Sequence, residues 1–275
     1  KLMNVSYKQP VKERSRNFLW KHAIESVTTQ RNENQILNEK YIRRLWDYCF
    51  EERLFKFTSI DSVNEKLLDD WVVFSKQCYG SKSADEIRVA YLCGPEPEND
   101  LRVLLGLGVR IENVWAFEND KSFFKDAITS IRNTYPTLKI FNGKIDTFLS
   151  ISPAKFDIIY LDFTGPIFSA TSEPYKAINS VFDFQALTEI GILITNSAFP
   201  DRTEESIDFL SAYFFNQKLI ESAVLSDDPE INHDGSYGEG ADAHGIVEKQ
   251  QITRYIERNF WYAYSAFATH YPIFY

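Results

Sequence analysis

Glu118 and Asp162 are the two carboxylates of this 275-residue chain best placed for chemistry, each closing an apolar run, in "VWAFEND" and in "FDIIYLDFTGP". A carboxylate at Glu118, about two dozen residues after Gly94, is suited to accept two hydrogen bonds from a ribose diol. The plainer reading is an exposed acid capping the next helix, a task for which Asp120 is better placed. Three further polar clusters follow apolar runs. They are Gly94, Pro95, Glu96 and Glu98 in "CGPEPEND", Asn142 with Gly143, and the stretch from Asp162 and Phe163 to Pro166. Gly94 stands alone, where repeated glycines would let a ligand approach the backbone closely. Pro95 and Pro97 stiffen that turn, and Glu96 and Glu98 repel the phosphates of a dinucleotide. A phosphate-cradling glycine-lysine loop is absent from the sequence.

Those residues need a scaffold that brings strand ends together. From Arg88 on, apolar runs of strand length alternate with amphipathic stretches. Strands are expected at Arg88–Cys93, Val114–Phe117, Leu138–Phe141, Asp157–Phe163 and Ile192–Thr195. Helices are expected at Asp100–Gly106, Ser122–Thr134, around Tyr175–Thr188 and around Glu204–Phe215. Runs that are apolar on both faces and separated by helices predict an α/β fold: a Rossmann-like, mostly parallel sheet with helices on both faces. Ligands collect at the carboxyl ends of such strands, near the point where strand order reverses.

The first third reads as helical. In "NFLWKHAIESV" the expected apolar face carries Phe18, Leu19, His22 and Ile24 to Val27, which makes His22 a core or boundary residue. A second stripe holds Ile36, Tyr41, Leu45 and Cys49, and Asp61 or Ser62 is expected to cap a third helix that Gly80 ends. The polar stretch 80–85 divides a helical N-terminal region (1–84), read as a lid or recognition element, from a Rossmann-like domain (85–275). Leu219–Leu225 is expected as a strand and "SDDPEINHDGSYGEGADAHG" as an exposed loop. The chain closes on an aromatic helix and tail, expected either to pack on the N-terminal helices or to form a subunit contact with a second copy or a partner protein.

The formal net charge of -9 excludes a surface that is basic throughout. Lys1, Lys8, Lys12, Arg14, Arg16 and Lys21 nevertheless form a basic arm that could contact nucleic acid; the alternative is a solvated terminus. No apolar run reaches the roughly 20 residues of a membrane span. Cys49, Cys78 and Cys93 show no paired spacing, so free thiols in a reducing, cytoplasmic compartment are expected. His233, Asp234, Asp242 and His244 share one stretch but lack ligand spacing on a regular element, and no metal site is expected. Trp20, Trp46, Trp71 and Trp261 are read as helix-packing residues.

The order "YLCGPEPEND", "ENVWAFENDKSFFKDAI", "IFNGKIDTFL", "FDIIYLDFTGP", "GILITNS" resembles class I S-adenosylmethionine-dependent methyltransferases over roughly Arg88–Ser197. The resemblance implies S-adenosylmethionine as cofactor, with the first loop (Gly94, Pro95, Glu96, Glu98) around its methionine part. It places Glu118 with Asn119 on the ribose and Asp146 near adenine, although Asp146 also suits a helix N-cap. "YLDFTGP" is similar to the acid-proline-phenylalanine-glycine motif of tRNA guanine-N2 methyltransferases, with Phe163 in place of the proline. By that likeness Asp162 accepts hydrogen bonds from an exocyclic amine while Phe163 stacks on a base; the alternative is a solvent-facing strand end with a Gly-Pro turn. Leu92 stands where the family carries an acid. A methyltransferase acting on nucleic acid is therefore expected. The alternatives are a binding or scaffolding module that keeps the fold without the chemistry, and another nucleotide-dependent enzyme.

Overall fold

The structure, a computed structural model, describes residues 10–31, 44, 65–168, 174–225 and 241–274, with 216–225, 241–249 and 274 described by their backbone alone. Trp46, Cys49, the stripe from Ile36, Asp61, Ser62, His233 and Asp234 lie outside the described residues, as do Lys1 and Lys8 of the basic arm. The chain divides into two compact units, Lys1–Asp162 with Ser180–Asn196, and Phe163–Asn179 with Ser197–Tyr275.

The first unit is built on a five-stranded parallel sheet of order β3-β2-β1-β4-β5. Its strands are β1 (Val89–Leu92), β2 (Val114–Glu118), β3 (Lys139–Asn142), β4 (Phe156–Asp162) and β5 (Leu187–Asn196). Helices α1 (Pro10–Val27) and α2 (Glu65–Cys78) precede the sheet. Helices α3 (Glu98–Gly106), α4 (Lys121–Ile131), α5 (Ile145–Ile151) and α6 (Pro174–Asp183) follow strands one to four in turn. This is the doubly wound α/β arrangement that the alternation of runs predicts.

Helix α1 belongs to the same unit as the sheet. It opens on Pro10, whose fixed φ suits a first helical position. Its buried residues, Trp20, Ala23, Ile24 and Val27, follow the one-face spacing of a helix packed on a core. Phe18 and His22 are exposed and stack on each other at 6.0 Å, so the expected face is corrected by a fraction of a turn. The shift follows the largest side chain: Trp20 is fully buried, edge-on to Tyr91 of β1 and Tyr160 of β4 at 6.3 and 5.4 Å. The sheet's other face carries Phe117 and Phe141, which pack against Phe148 of α5. Trp71 and Trp261, expected as packing residues, are half exposed.

Two polar clamps hold the edges. Buried Arg31 donates from Nε and Nη2 to the Cys78 carbonyl at 3.1 and 2.7 Å, tying the chain after α1 to the end of α2. Cationic groups are favoured at that helix end by the dipole. Fully buried Asp157, at the start of β4, accepts from Lys82 Nζ, the Arg88 N–H and Thr188 Oγ1. That carboxylate fastens β1, β4 and β5 together at the end of the sheet opposite the candidate site.

Boundaries differ from expectation where the stop signal is hidden. The helix expected to run to Thr188 ends at Asp183, and β5 begins at Leu187. The Ala186 N–H returns to the Val181 carbonyl and the Gln185 N–H to Phe182, while Gln185 takes φ 49°. That is the helix-ending motif glycine normally serves, and here glutamine fills it. The end of α3 uses the same motif with the usual residue: Val109 returns to Leu104 and Gly108 to Leu105, with Gly108 at φ 93°.

The second unit is helical, with α7 (Glu204–Leu225), α8 (Ala241–Arg258) and α9 (Phe260–Phe274). Leu219–Leu225 is thus helix and not strand; a short apolar run fits either period. Residues 241–245, expected in a loop, begin α8. The unit's core is aromatic, with Phe168 against Phe209, Tyr264 and Phe267 at 4.3 to 5.6 Å. The Tyr264 hydroxyl accepts the buried Ile167 N–H at 2.9 Å and lies 3.0 Å from Ser197 Oγ. Among the described residues no helix is long and apolar enough to cross a membrane.

The two helix-ending positions should respond oppositely to exchange. Gly108→Ala puts a Cβ 3.3 Å from Ala84 Cβ on a left-handed backbone and should cost about 1–2 kcal/mol. Gln185→Gly should stabilise by about 0.5–1 kcal/mol. Urea midpoints with unchanged m-values check both.

Candidate functional site

Strand order reverses between β1 and β4, whose Tyr91 and Tyr160 are register partners. The crevice of a doubly wound sheet opens at that reversal, beyond the strands' carboxyl ends. Gly94 lies there, one residue past the Cys93 N–H that extends the ladder to the Phe117 carbonyl. Its φ is 60°, and among the described residues nothing lies within 4 Å of the place a Cβ would occupy. The turn is therefore one only glycine adopts without strain, and it leaves the backbone open to a ligand.

The rest of the first loop is braced from below. Tyr91, fully buried, donates its hydroxyl to the Pro97 carbonyl at 2.8 Å, and Pro97 is itself buried. Pro95 and Glu96 are half-buried. Glu96 accepts from Asn99 Nδ2 at 2.9 Å, and Glu98, in the first turn of α3, accepts from Ser130 Oγ at 3.0 Å.

Glu118 ends β2 and is buried. Its Oε1 accepts the Asp120 N–H at 2.7 Å, and the Asn119 N–H also bonds to the carboxylate. Burial raises its pKa above the ordinary value, and these two N–H groups pull it partly back. The group also acts on its neighbour: burial first, and the Glu118 charge second, push the buried Cys93 thiol far up, so Cys93 stays protonated. Asp120 caps α4 by accepting the Ser122 and Phe123 N–H groups at 2.7 and 2.9 Å, leaving Glu118 no capping task. Asn119 is exposed. Asp146 is half-buried in the first turn of α5 and accepts the Thr147 N–H at 2.7 Å; the cap position itself belongs to Lys144.

Asp162 ends β4, is exposed, and accepts from Asn196 Nδ2 at 2.6 Å across the β4–β5 register. Phe163, half-buried, follows it and opens the second unit. Among the described residues no group of three acidic, histidine or cysteine side chains could hold a metal. Asp242 and His244 fall on α8, where only the backbone is described.

The sequence left several residues of this crevice unmarked. Asp100, in the first turn of α3, is a buried carboxylate whose Oδ1 accepts from Trp20 Nε1 at 2.8 Å and Arg16 Nε at 3.0 Å. Burial raises its pKa, against the opposing pull of Arg16 and Trp20. Tyr160 and Asp162 lie two residues apart on β4, on one face of the strand. The visible signal was an acid inside the apolar run "NDLRVLL". Its partners lie 80 and 84 residues away, where no local pattern reaches.

No protein-family model matches the chain, and no curated protein matches it in sequence. Solved structures do match at a distance. One is an S-adenosylmethionine-dependent methyltransferase from Clostridium acetobutylicum (15% identity, TM-score 0.32, 58% of this chain and 57% of that one). Another is protein arginine methyltransferase 10 of Arabidopsis thaliana (17% identity, TM-score 0.30, 62% of this chain and 47% of that one). A third is the StiE O-MT (12% identity, TM-score 0.32, 74% of this chain and 72% of that one). The chain thus spans about half the length of the first two.

A raised carboxylate pKa contributes stability that is present below the unfolded value and lost as pH rises through the folded one. Asp100→Asn keeps an acceptor for Trp20 Nε1 and removes that titration. The stability of the native chain relative to this variant should therefore fall as pH rises from about 4 towards neutrality. Urea midpoints of both proteins across that range check the sign, and a rising difference contradicts it.

Proposed function

We infer that this chain is an S-adenosylmethionine-dependent methyltransferase of the Rossmann-like type, working in the cytoplasm on an acceptor in nucleic acid. One observation carries the reading: an open glycine turn after β1 stands beside a buried carboxylate at the end of β2.

The residues fit the cofactor on their own chemistry. Gly94 leaves its backbone accessible, and Pro95 and Glu96 flank it as a half-buried wall. A carboxylate has about four lone-pair sites, so Glu118 keeps acceptor capacity for a ribose diol after taking two N–H groups. Glu96, Glu98, Asp100 and Asp162 set a negative field that suits a sulfonium and an ammonium. When bound, S-adenosylmethionine supplies an electrophilic methyl carbon and leaves as a neutral thioether. Asp162 holds an acceptor N–H, receives the proton that an amine sheds on methylation, and is itself fixed by Asn196. Phe163 offers a ring for a base to stack on, and Asp146 an acceptor for adenine. Lys12, Arg14 and Lys21 on α1 are exposed cations for a phosphate backbone. Cys78 and Cys93, both free thiols, accord with a reducing compartment.

The second reading, a binding module without catalysis, draws support from one feature. Glu96, Glu98 and Glu118 are all engaged by groups of the protein itself.

Calorimetry on the chain separates the two. S-adenosylhomocysteine should bind, and Glu118→Ala should weaken it about tenfold to a hundredfold by removing hydrogen bonds to a charged group. Absence of heat with millimolar S-adenosylmethionine or S-adenosylhomocysteine overturns the methyltransferase reading. Asp162→Ala should abolish labelled-methyl incorporation into bulk RNA while S-adenosylhomocysteine affinity changes little; undiminished incorporation removes Asp162 from the mechanism.

A further inference from the structure

Tyr160 is a polar side chain that the fold buries without giving its polar atom anything to do. The residue is 94% buried, since its relative exposure is 6%. Its ring is fixed edge-on against Trp20 at 5.4 Å. Among the described residues its hydroxyl has no hydrogen-bond partner. Tyr91, its register partner on β1, faces the same tryptophan but spends its hydroxyl on Pro97. Two neighbouring tyrosines on one face thus differ: one braces the first loop, and the other is left open.

The charges acting on the open hydroxyl are Asp162 and Asp100, with Arg16 opposing them. Asp100 is occupied by Trp20 and Arg16. Asp162, two residues along the same strand face, is exposed and, among the described residues, held only at Oδ1 by Asn196. Burial and the two carboxylates keep the phenol protonated, so it is available at neutral pH as an uncharged donor and acceptor.

We propose that Tyr160 Oη and the Asp162 carboxylate form an amino-group subsite that selects a nitrogen acceptor for the methyltransferase. This rests on the reading above. An amino group presents N–H donors to two acceptors at once, one to Tyr160 Oη and one to Asp162. That arrangement fixes which way the nitrogen's remaining valence points. A phosphate or carboxylate meets repulsion from Asp162 and Asp100 at the same place. Selectivity arises because a buried polar group left unpaired penalises the wrong ligand more than a good contact rewards the right one.

Sinefungin tests the subsite without a known acceptor, since it carries an amino-bearing carbon where S-adenosylhomocysteine has sulfur. Calorimetry should show Tyr160→Phe lowering sinefungin affinity about tenfold to a hundredfold more than S-adenosylhomocysteine affinity, the loss of one hydrogen bond to a charged group. The phenyl ring keeps the contact with Trp20, and an unchanged urea midpoint verifies that the fold is intact. Asp162→Asn, which retains an acceptor atom but not the charge, should likewise lower sinefungin affinity more than S-adenosylhomocysteine affinity. If S-adenosylhomocysteine binds and Tyr160→Phe moves both affinities equally or neither, the subsite is overturned while the methyltransferase reading stands. If neither ligand binds the native chain, that reading fails and the subsite falls with it.

Discussion

Parallel strands must be joined by crossovers, and the order β3-β2-β1-β4-β5 makes the chain wind outwards in both directions from one pair. The segments after β1 and β4 lead to strands on opposite sides of that pair, and ligands of such sheets collect at this reversal. This constraint creates the crevice, and the residues with unusual chemistry in the first unit collect around it. Gly94 continues from β1, Glu118 ends the strand beside it, and Tyr160 and Asp162 end the strand on the other side.

Trp20 anchors α1 on the sheet face that carries Tyr91 and Tyr160. Its indole fills the space over Tyr91 and Tyr160, and its N–H meets the carboxylate of Asp100, which would be costly to bury alone. Arg16, one turn earlier on α1, supplies the countercharge. One helix therefore supports two different things, the start of α3 just after the glycine turn and the tyrosine on β4. That coupling explains how a loop with a single glycine keeps its shape: bracing by Tyr91, Pro97 and Asp100 stands in for the conformational freedom of further glycines.

Much of the scaffold was legible because it rests on local periodicity. Buried strands read as continuous apolar runs, and Asp120 was recognisable as a cap from its place two residues before Ser122. Glu118 stood out by spacing from Gly94. What escaped is non-local or disguised. Tyr160 looks like any strand aromatic until the partnerless hydroxyl is seen, and Asp100 acquires meaning only through α1. Gln185 hides a helix end because the left-handed position usually announced by glycine is filled by an ordinary side chain. The exposed Phe18 and His22 misled for a similar reason, as their spacing is helical but the core claims the adjacent face.

An adenosyl ligand bound at the site inferred above would lie across the ends of β1 and β2 over Gly94. Amide hydrogen exchange with and without S-adenosylhomocysteine tests it directly. Added protection is expected, confined to the loop from Cys93 to Asp100 and to Asn119 and Asp120. Protection elsewhere with these loops unchanged would contradict it.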